Sequence, residues 1–124
     1  YIAIATGASP EVLAEDLNLE SSEAFIASGQ MLDQLKAAQS AARIGHANGG
    51  AIGAAAILAD HLSQGWTQAQ AAAILQKISP QDRISYTAIA RNLGKSRQVV
   101  TKTLDAAGYD ALAFALTTLE SDFS

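Results

Sequence analysis

The chain of 124 residues contains no cysteine. Disulfides, thiolate metal sites and cysteine nucleophiles are thereby excluded, and a reducing, cytoplasmic setting is the expectation. Proline is nearly absent, with only Pro10 and Pro80 available to interrupt a helix. Aromatic residues amount to 6 % while hydrophobic residues reach 49 %. The core must therefore be made of alanine and aliphatic side chains, whose small size lets helix backbones approach closely. No apolar run is long. The best, Ala51 to Ala59, falls well short of the roughly 20 residues that span a bilayer, so no membrane segment is expected. No secretory leader is visible. The first residue is Tyr1 rather than Met, which predicts a fragment or a processed product. The length suits a compact domain with a core of its own.

Signs of catalytic chemistry are equally sparse. His46 and His61 are the two histidines. Neither has cysteine or a paired carboxylate pattern around it, so each reads as a surface or capping residue rather than a metal ligand. No serine stands in a nucleophile turn. Thr6-Gly7-Ala8-Ser9 lacks the full glycine fingerprint of a phosphate loop and reads as an ordinary capped turn. Enzyme activity, metals and cofactors are not expected.

Positive charge is scarce too, and it is concentrated. The net charge is −4. Residues 1–35 carry six acids and no base, and residues 105–124 carry four acids and no base. Between them, residues 83–104 carry Arg83, Arg91, Lys95, Arg97 and Lys102 and no acid. Such segregation points to a localised anionic partner at one stretch.

The rest of the chain reads as helices. "YIAIAT" (1–6) alternates as a strand does, yet it has no obvious mate. Its partner should lie upstream, or in another copy, unless the stretch is not a strand. Ser9, Pro10 and Glu11 form a good helix start, for a short helix ending near Leu17. Ser21 then caps a longer helix over about 22–44, with Phe25, Leu32, Leu35, Ala38 and Ala42 on one side. "HANGG" (46–50) reads as the linker. A helix over 51–63 follows, with Ile52, Ala55, Ala59 and Leu62 inward. Thr67 caps the next, through Ile78. Three more follow over 86–93, 97–107 and 109–120, with Gly94 and Gly108 at the breaks. Gly45, Gly49 and Gly53 recur at every fourth residue, which reads as the linker plus one tight helix contact. The predicted class is mainly α: a helical bundle containing a helix-turn-helix, with one possible N-terminal strand. Residues 1–46 form a strand-like segment with acidic helices, and 47–124 the helix-turn-helix domain with its C-terminal helix.

The helix-turn-helix rests on fixed offsets. Ala90 is small where two crossing helices come closest. Gly94, four residues later, tolerates the positive φ of the turn. Val100, six residues further on, is the apolar residue that the second helix must bury, and Ser96 is a suitable N-cap. With Val100 and Leu104 inward, Arg97, Gln98, Thr101 and Lys102 face outward. Ser96, Arg97, Gln98 and Thr101 are then candidates for base edges, Arg97 for guanine and Gln98 for adenine. Arg83, Arg91, Lys95 and Lys102 are candidates for phosphate. Lys95 departs from the pattern, because the residue after the turn glycine is usually apolar and tucks under the turn. A looser turn, or a lysine snorkelling outward to phosphate, would reconcile it.

Trp66, Thr67 and Gln70, followed by "SYTAIARNLGKSRQVVTKTLDAAGYDALAFALTTLE", resemble the C-terminal part of the SatD-like bacterial proteins. Those carry a Trp-Thr-x-x-Gln helix start, a helix-turn-helix and a last helix ending near Leu-Glu. "NLESSEAFIASGQMLDQLK" (18–36) is similar to the loop and helix that precede these elements there. The helix order also resembles the four-helix DNA-binding region of sigma factors. The resemblance implies DNA-binding regulation and a strand-rich portion upstream, of which "YIAIATG" would be the last strand.

Tyr109, Leu112, Leu116, Leu119 and Phe123 are spaced 3, 4, 3 and 4 apart, a two-heptad seam. It serves either as a dimer interface or as packing onto the helix-turn-helix. The expected function is thus that of a DNA-binding protein, a transcriptional regulator that contacts double-stranded DNA through its helix-turn-helix, as a homodimer. The alternatives are a protein-interaction or assembly module built on the helical hairpin, and the output part of a truncated ligand-sensing protein.

Overall fold

Six helices and one pair of short strands account for most of the described residues, as the composition predicts. The structure, a computed structural model, describes residues 1–7, 22–38, 42–79 and 84–122. In chain order the elements are β1 (Ile2–Ile4), α1 (Glu23–Ala37), β2 (Ile44–His46), α2 (Gly50–Gln64), α3 (Gln68–Ile78), α4 (Tyr86–Leu93), α5 (Arg97–Ala107) and α6 (Tyr109–Asp122). The expected helix over 10–17, with its Ser9 and Ser21 caps, lies outside the described residues, as do Arg83 and Phe123. Two compact units divide inside α2, residues 1–61 and residues 62–124. This division lies later in the chain than the one drawn from sequence after residue 46.

In the first unit, β1 finds its partner within the chain. It pairs in parallel with β2, Ile2 opposite Ile44 and Ile4 opposite His46. The expectation that its mate lies upstream or in another copy is thereby corrected, since the mate is β2 of the same chain. The ladder is extended by the Ile2 amide donating to the Arg43 carbonyl at 2.7 Å and the Ala47 amide donating to the Ile4 carbonyl at 2.8 Å. Asn48 locks the far end, accepting from the Thr6 amide and donating to the Thr6 carbonyl, both at 3.1 Å.

The helix expected to reach residue 44 stops at Ala37, with Ala38 already extended. Residues 44–46 belong to the strand pair instead, because both strand pairing and a buried carboxylate claim their backbone. Asp60 on α2, only 2 % exposed, accepts from the Arg43 and Ile44 amides at 2.7 and 3.2 Å. Gly45 lies against α1. A Cβ there would collide with Met31 Cε and stand 3.3 Å from both Leu35 methyls. The inward stripes expected for α1 and α2 are correspondingly weak. Leu35 is the buried side chain of α1, Phe25 is exposed, and α2 buries Gly53 and Asp60 while Ile52, Ala55, Ala59 and Leu62 are half-buried. "HANGG" is therefore not a linker but the turn from β2 into α2.

The second unit has the tighter core. Ala73 and Ile74 of α3, Ile89 and Ala90 of α4, and Val100, Leu104 and Ala107 of α5 are all buried together. Each of these helices starts on a hydroxyl cap. Thr67 Oγ1 accepts from the Gln70 amide at 3.2 Å while Gln70 Oε1 accepts from the Thr67 amide at 2.8 Å, a reciprocal capping box. Ser85 and Ser96 accept from the Ala88 and Val99 amides. Trp66, half-buried, packs on the core and donates from Nε1 to the Ala107 carbonyl at 2.8 Å. It thereby ties the start of α3 to the end of α5.

Lys77 lies 4.9 Å above the Tyr86 ring and donates to the Ile84 carbonyl at 2.8 Å. Burial pushes the Tyr86 hydroxyl above its ordinary value, with smaller contributions from Asp110, Tyr109 and Asp105. The folded chain holds this proton more tightly than the unfolded chain. Stability from this source is complete below about pH 10 and is lost as pH rises from there through the folded value. Tyr86→Phe should remove that part of the alkaline loss of Tm while leaving Tm at pH 7 little changed, as read by thermal melts across pH 8–11.

Asp60→Ala should cost the first unit about 2–3 kcal/mol, because it strands two strand amides without an acceptor. Faster hydrogen exchange at the Arg43 and Ile44 amides, with no change at Ile89 or Leu104, is the expected signature.

Candidate nucleic-acid interface

The geometry of the second unit follows from which face of α5 is buried. Val100, Leu104 and Ala107 lie against α3 and α4 at 0–1 % exposure. At 100° per residue this turns Gln98 and Lys102 away from the core, while Arg97, seven residues before Leu104 and so on its side of the helix, is exposed in the first turn. Arg91 in the last turn of α4, and Lys95 and Ser96 in the connection, are exposed as well. Among the described residues, no carboxylate forms an ion pair with Arg91, Lys95, Arg97 or Lys102. Arg83, the fifth cation of the stretch, lies outside the described residues.

The turn itself is tight. Gly94 has φ +63°, its amide donates to the Arg91 carbonyl at 3.3 Å, and the Lys95 amide donates to the Ala90 carbonyl at 2.9 Å. This double closure is the Schellman arrangement, for which glycine is the favoured residue. The looser turn considered for Lys95 is thus not what forms. Lys95 keeps the turn through its backbone and leaves its side chain exposed. The space beneath, where an apolar residue would go, persists as a cavity of about 130 Å³ lined by Ala72, Ala73, Leu93, Val99 and Thr103 along with Lys95.

Two of the candidate base-contacting residues are partly committed locally. Ser96 Oγ accepts from the Val99 amide at 3.2 Å, so its remaining capacity is chiefly as an O–H donor. Thr101, half-buried, donates from Oγ1 to the Arg97 carbonyl at 3.0 Å and can offer a ligand only lone pairs. Arg97 and Gln98 are exposed and sit in the first turn of α5, where the helix N-terminus also favours anions.

Asp105, the first acid after the cationic stretch, bears on this surface as well. It lies seven residues after Gln98, on the same outward face, and is exposed. Its carboxylate ends the run of cations toward the C-terminal end of α5. The sequence signal was present as the i, i+7 relation to Gln98.

The two-heptad seam of α6 divides. Tyr109 and Leu112 pack on the core of their own unit. Leu116 and Leu119 are half-buried, Phe114 is 77 % exposed, and Phe123 lies outside the described residues. Of the two histidines, His61 is exposed and His46 is buried at the end of β2, against the expectation of a surface or capping role. Among the described residues no three His, Asp or Glu side chains gather into a metal-binding group, and no helix is long and apolar enough to cross a membrane.

No family model matches the chain, and no curated protein or solved structure matches it either. The residues behind the SatD-like resemblance nonetheless each have a physical task here: Trp66 holds the α5 carboxyl end, and Thr67 and Gln70 form the capping box.

Lys95→Leu should fill the space under the turn and raise the stability of the second unit by about 1 kcal/mol, since it adds buried apolar area without a change of turn geometry. Urea denaturation followed by Trp66 fluorescence reads the gain as a higher midpoint at unchanged slope.

Proposed function

We propose that the second unit binds double-stranded DNA through α5 and that the protein is a transcriptional regulator without enzymatic activity. One observation carries this reading. A helix whose buried face turns Gln98 and Lys102 outward presents them together with Arg97 of its first turn, flanked by Arg91 and Lys95, and among the described residues no carboxylate pairs with any of these cations. Unpaired cations grouped beside amide and hydroxyl groups in a protein of net charge −4 suit a polyanion whose counterions they displace. Arg97 and Gln98 would meet base edges, with Ser96 and Thr101 as lesser contacts. Arg91, Lys95 and Lys102, together with Arg83, would hold phosphates. Membership of the SatD-like proteins is part of the same proposal, supported by Trp66, Thr67, Gln70 and the helix order. A cytoplasmic setting and a homodimer also belong to it, the dimer using the distal part of α6 beyond Leu112.

A second reading, contact with another protein, is favoured by Leu75 and Phe114, which are 74 % and 77 % exposed. Neither lies on the cationic face of α5, so the two readings separate by mutation.

Gel shifts with a mixed-sequence duplex at low salt test the proposal. Arg97→Ala should change sequence preference. Lys102→Ala should weaken all duplexes alike and flatten the dependence of log K on log salt by about one. Phe114→Ser should leave both unchanged. Absence of any retarded species at low salt would sink the DNA reading and leave protein contact.

A further inference from the structure

The exposed large apolar side chain of α5 is Val99, in the first turn and 46 % exposed. The DNA-binding reading gives it no task. A β-branched side chain gives up helix propensity, and one left partly in water gains little burial in return.

Its neighbours define its setting. Lys95 and Val99 line the same cavity of about 130 Å³ beneath the turn. Lys102, three residues after Val99, is its neighbour on the helix surface. Gln98, immediately before it, is exposed. Among the described residues no carboxylate pairs with either lysine. Val99 thus offers an apolar contact set between two cations and beside an amide.

Thr101, on the other side of Val100, is placed differently. It is half-buried and its hydroxyl donates to the Arg97 carbonyl at 3.0 Å. Val99 is the more open of the two residues that flank the buried Val100.

The occupant of such a surface must carry an apolar group among anions. A protein partner with an apolar patch would have to strip water from both lysines to cover Val99, at a cost that one valine does not offset. Duplex DNA has both features. Its phosphates flank the major groove, and the C5-methyl of thymine projects into that groove from the edge of the base pair. Adenine, the base that a glutamine such as Gln98 suits, is paired with thymine.

We propose, resting on the DNA reading above, that Val99 is a specificity-determining residue. Its methyl groups pack on the C5-methyl of a thymine at or next to the base pair that Gln98 contacts. Lys95 and Lys102 hold phosphates on either side. The preferred duplex therefore carries an A·T pair at this position, chosen by an apolar contact as well as by hydrogen bonds.

The test takes the duplex that the wild-type full chain enriches from a randomised pool. It is compared in gel shifts with the same duplex carrying uracil for thymine at one position at a time, which deletes only the C5-methyl. Wild type should bind the uracil duplex about fourfold more weakly at one such position, the worth of one buried methyl group. Val99→Ala should bind the two duplexes equally, and Val99→Ile should keep the discrimination. Lys102→Ala should weaken both duplexes alike and leave their ratio unchanged. Equal binding of thymine and uracil duplexes by wild type at every position overturns the proposal, and so does a Val99→Ala chain that keeps the wild-type ratio. Should Val99→Ala fail to fold, the wild-type comparison decides alone. DNA retained without a thymine preference defeats this proposal and leaves the DNA reading standing, whereas no retained DNA at all defeats the DNA reading and this proposal with it.

Discussion

The burial of Val100 and Leu104 is the constraint on which the second unit depends. Both are almost wholly removed from water, and each sits where α5 meets α3 and α4. Once those two side chains are inside, the rotation of α5 about its axis is no longer free, and every other residue on it has an assigned direction. Gln98 and Lys102 are outward because Val100 and Leu104 are inward, and Arg97 is exposed in the first turn of the helix. A change that loosened this packing would blur the cationic surface without altering one of its charges. Trp66 strengthens the same constraint from the far end, through its bond to the Ala107 carbonyl.

Around that packing, the ends of the helices are closed by local chemistry. Thr67, Ser85 and Ser96 satisfy amides that would otherwise be orphaned. Gly94 and Gly108, both with positive φ, satisfy carbonyls. The connection from α4 to α5 is thereby short and well defined, and a short connection holds the two helices at a set spacing. Lys95 is the exception to an otherwise consistent pattern. An apolar side chain there would add packing, whereas lysine leaves a small cavity and adds a charge beside the first turn of α5. A residue that gives up stability in favour of charge at the edge of a cationic face is in keeping with a functional surface.

The first unit is organised differently. Its centre is a parallel strand pair whose backbone groups are shared among β1, the Asp60 carboxylate and Asn48. Gly45 allows α1 to lie close against β2, since Met31 and Leu35 occupy the place of a Cβ. Side-chain burial is modest there, with Leu35 the buried aliphatic residue of α1. Among the described residues the unit is thus held more by hydrogen bonds and close backbone approach than by buried aliphatic side chains.

The sequence by itself determined the second unit almost completely. Its helix bounds, its turn and the burial of Val100 and Leu104 follow from residues within a few turns of one another, where caps, positive-φ glycines and helical spacing act locally. The outward placement of Gln98 and Lys102 needed nothing more. Only the tertiary structure decided the first unit. Thr6 and Asn48 meet across 42 residues, and no local pattern announces a pairing of that range. The alanine-rich stretch after Leu35 continues a helical period that β2 interrupts, because strand pairing and the Asp60 carboxylate hold residues 43–46 extended more strongly than propensity favours a helix. The same holds for His46, which reads as a surface residue until β2 draws it inside and leaves its Nε2 without a partner.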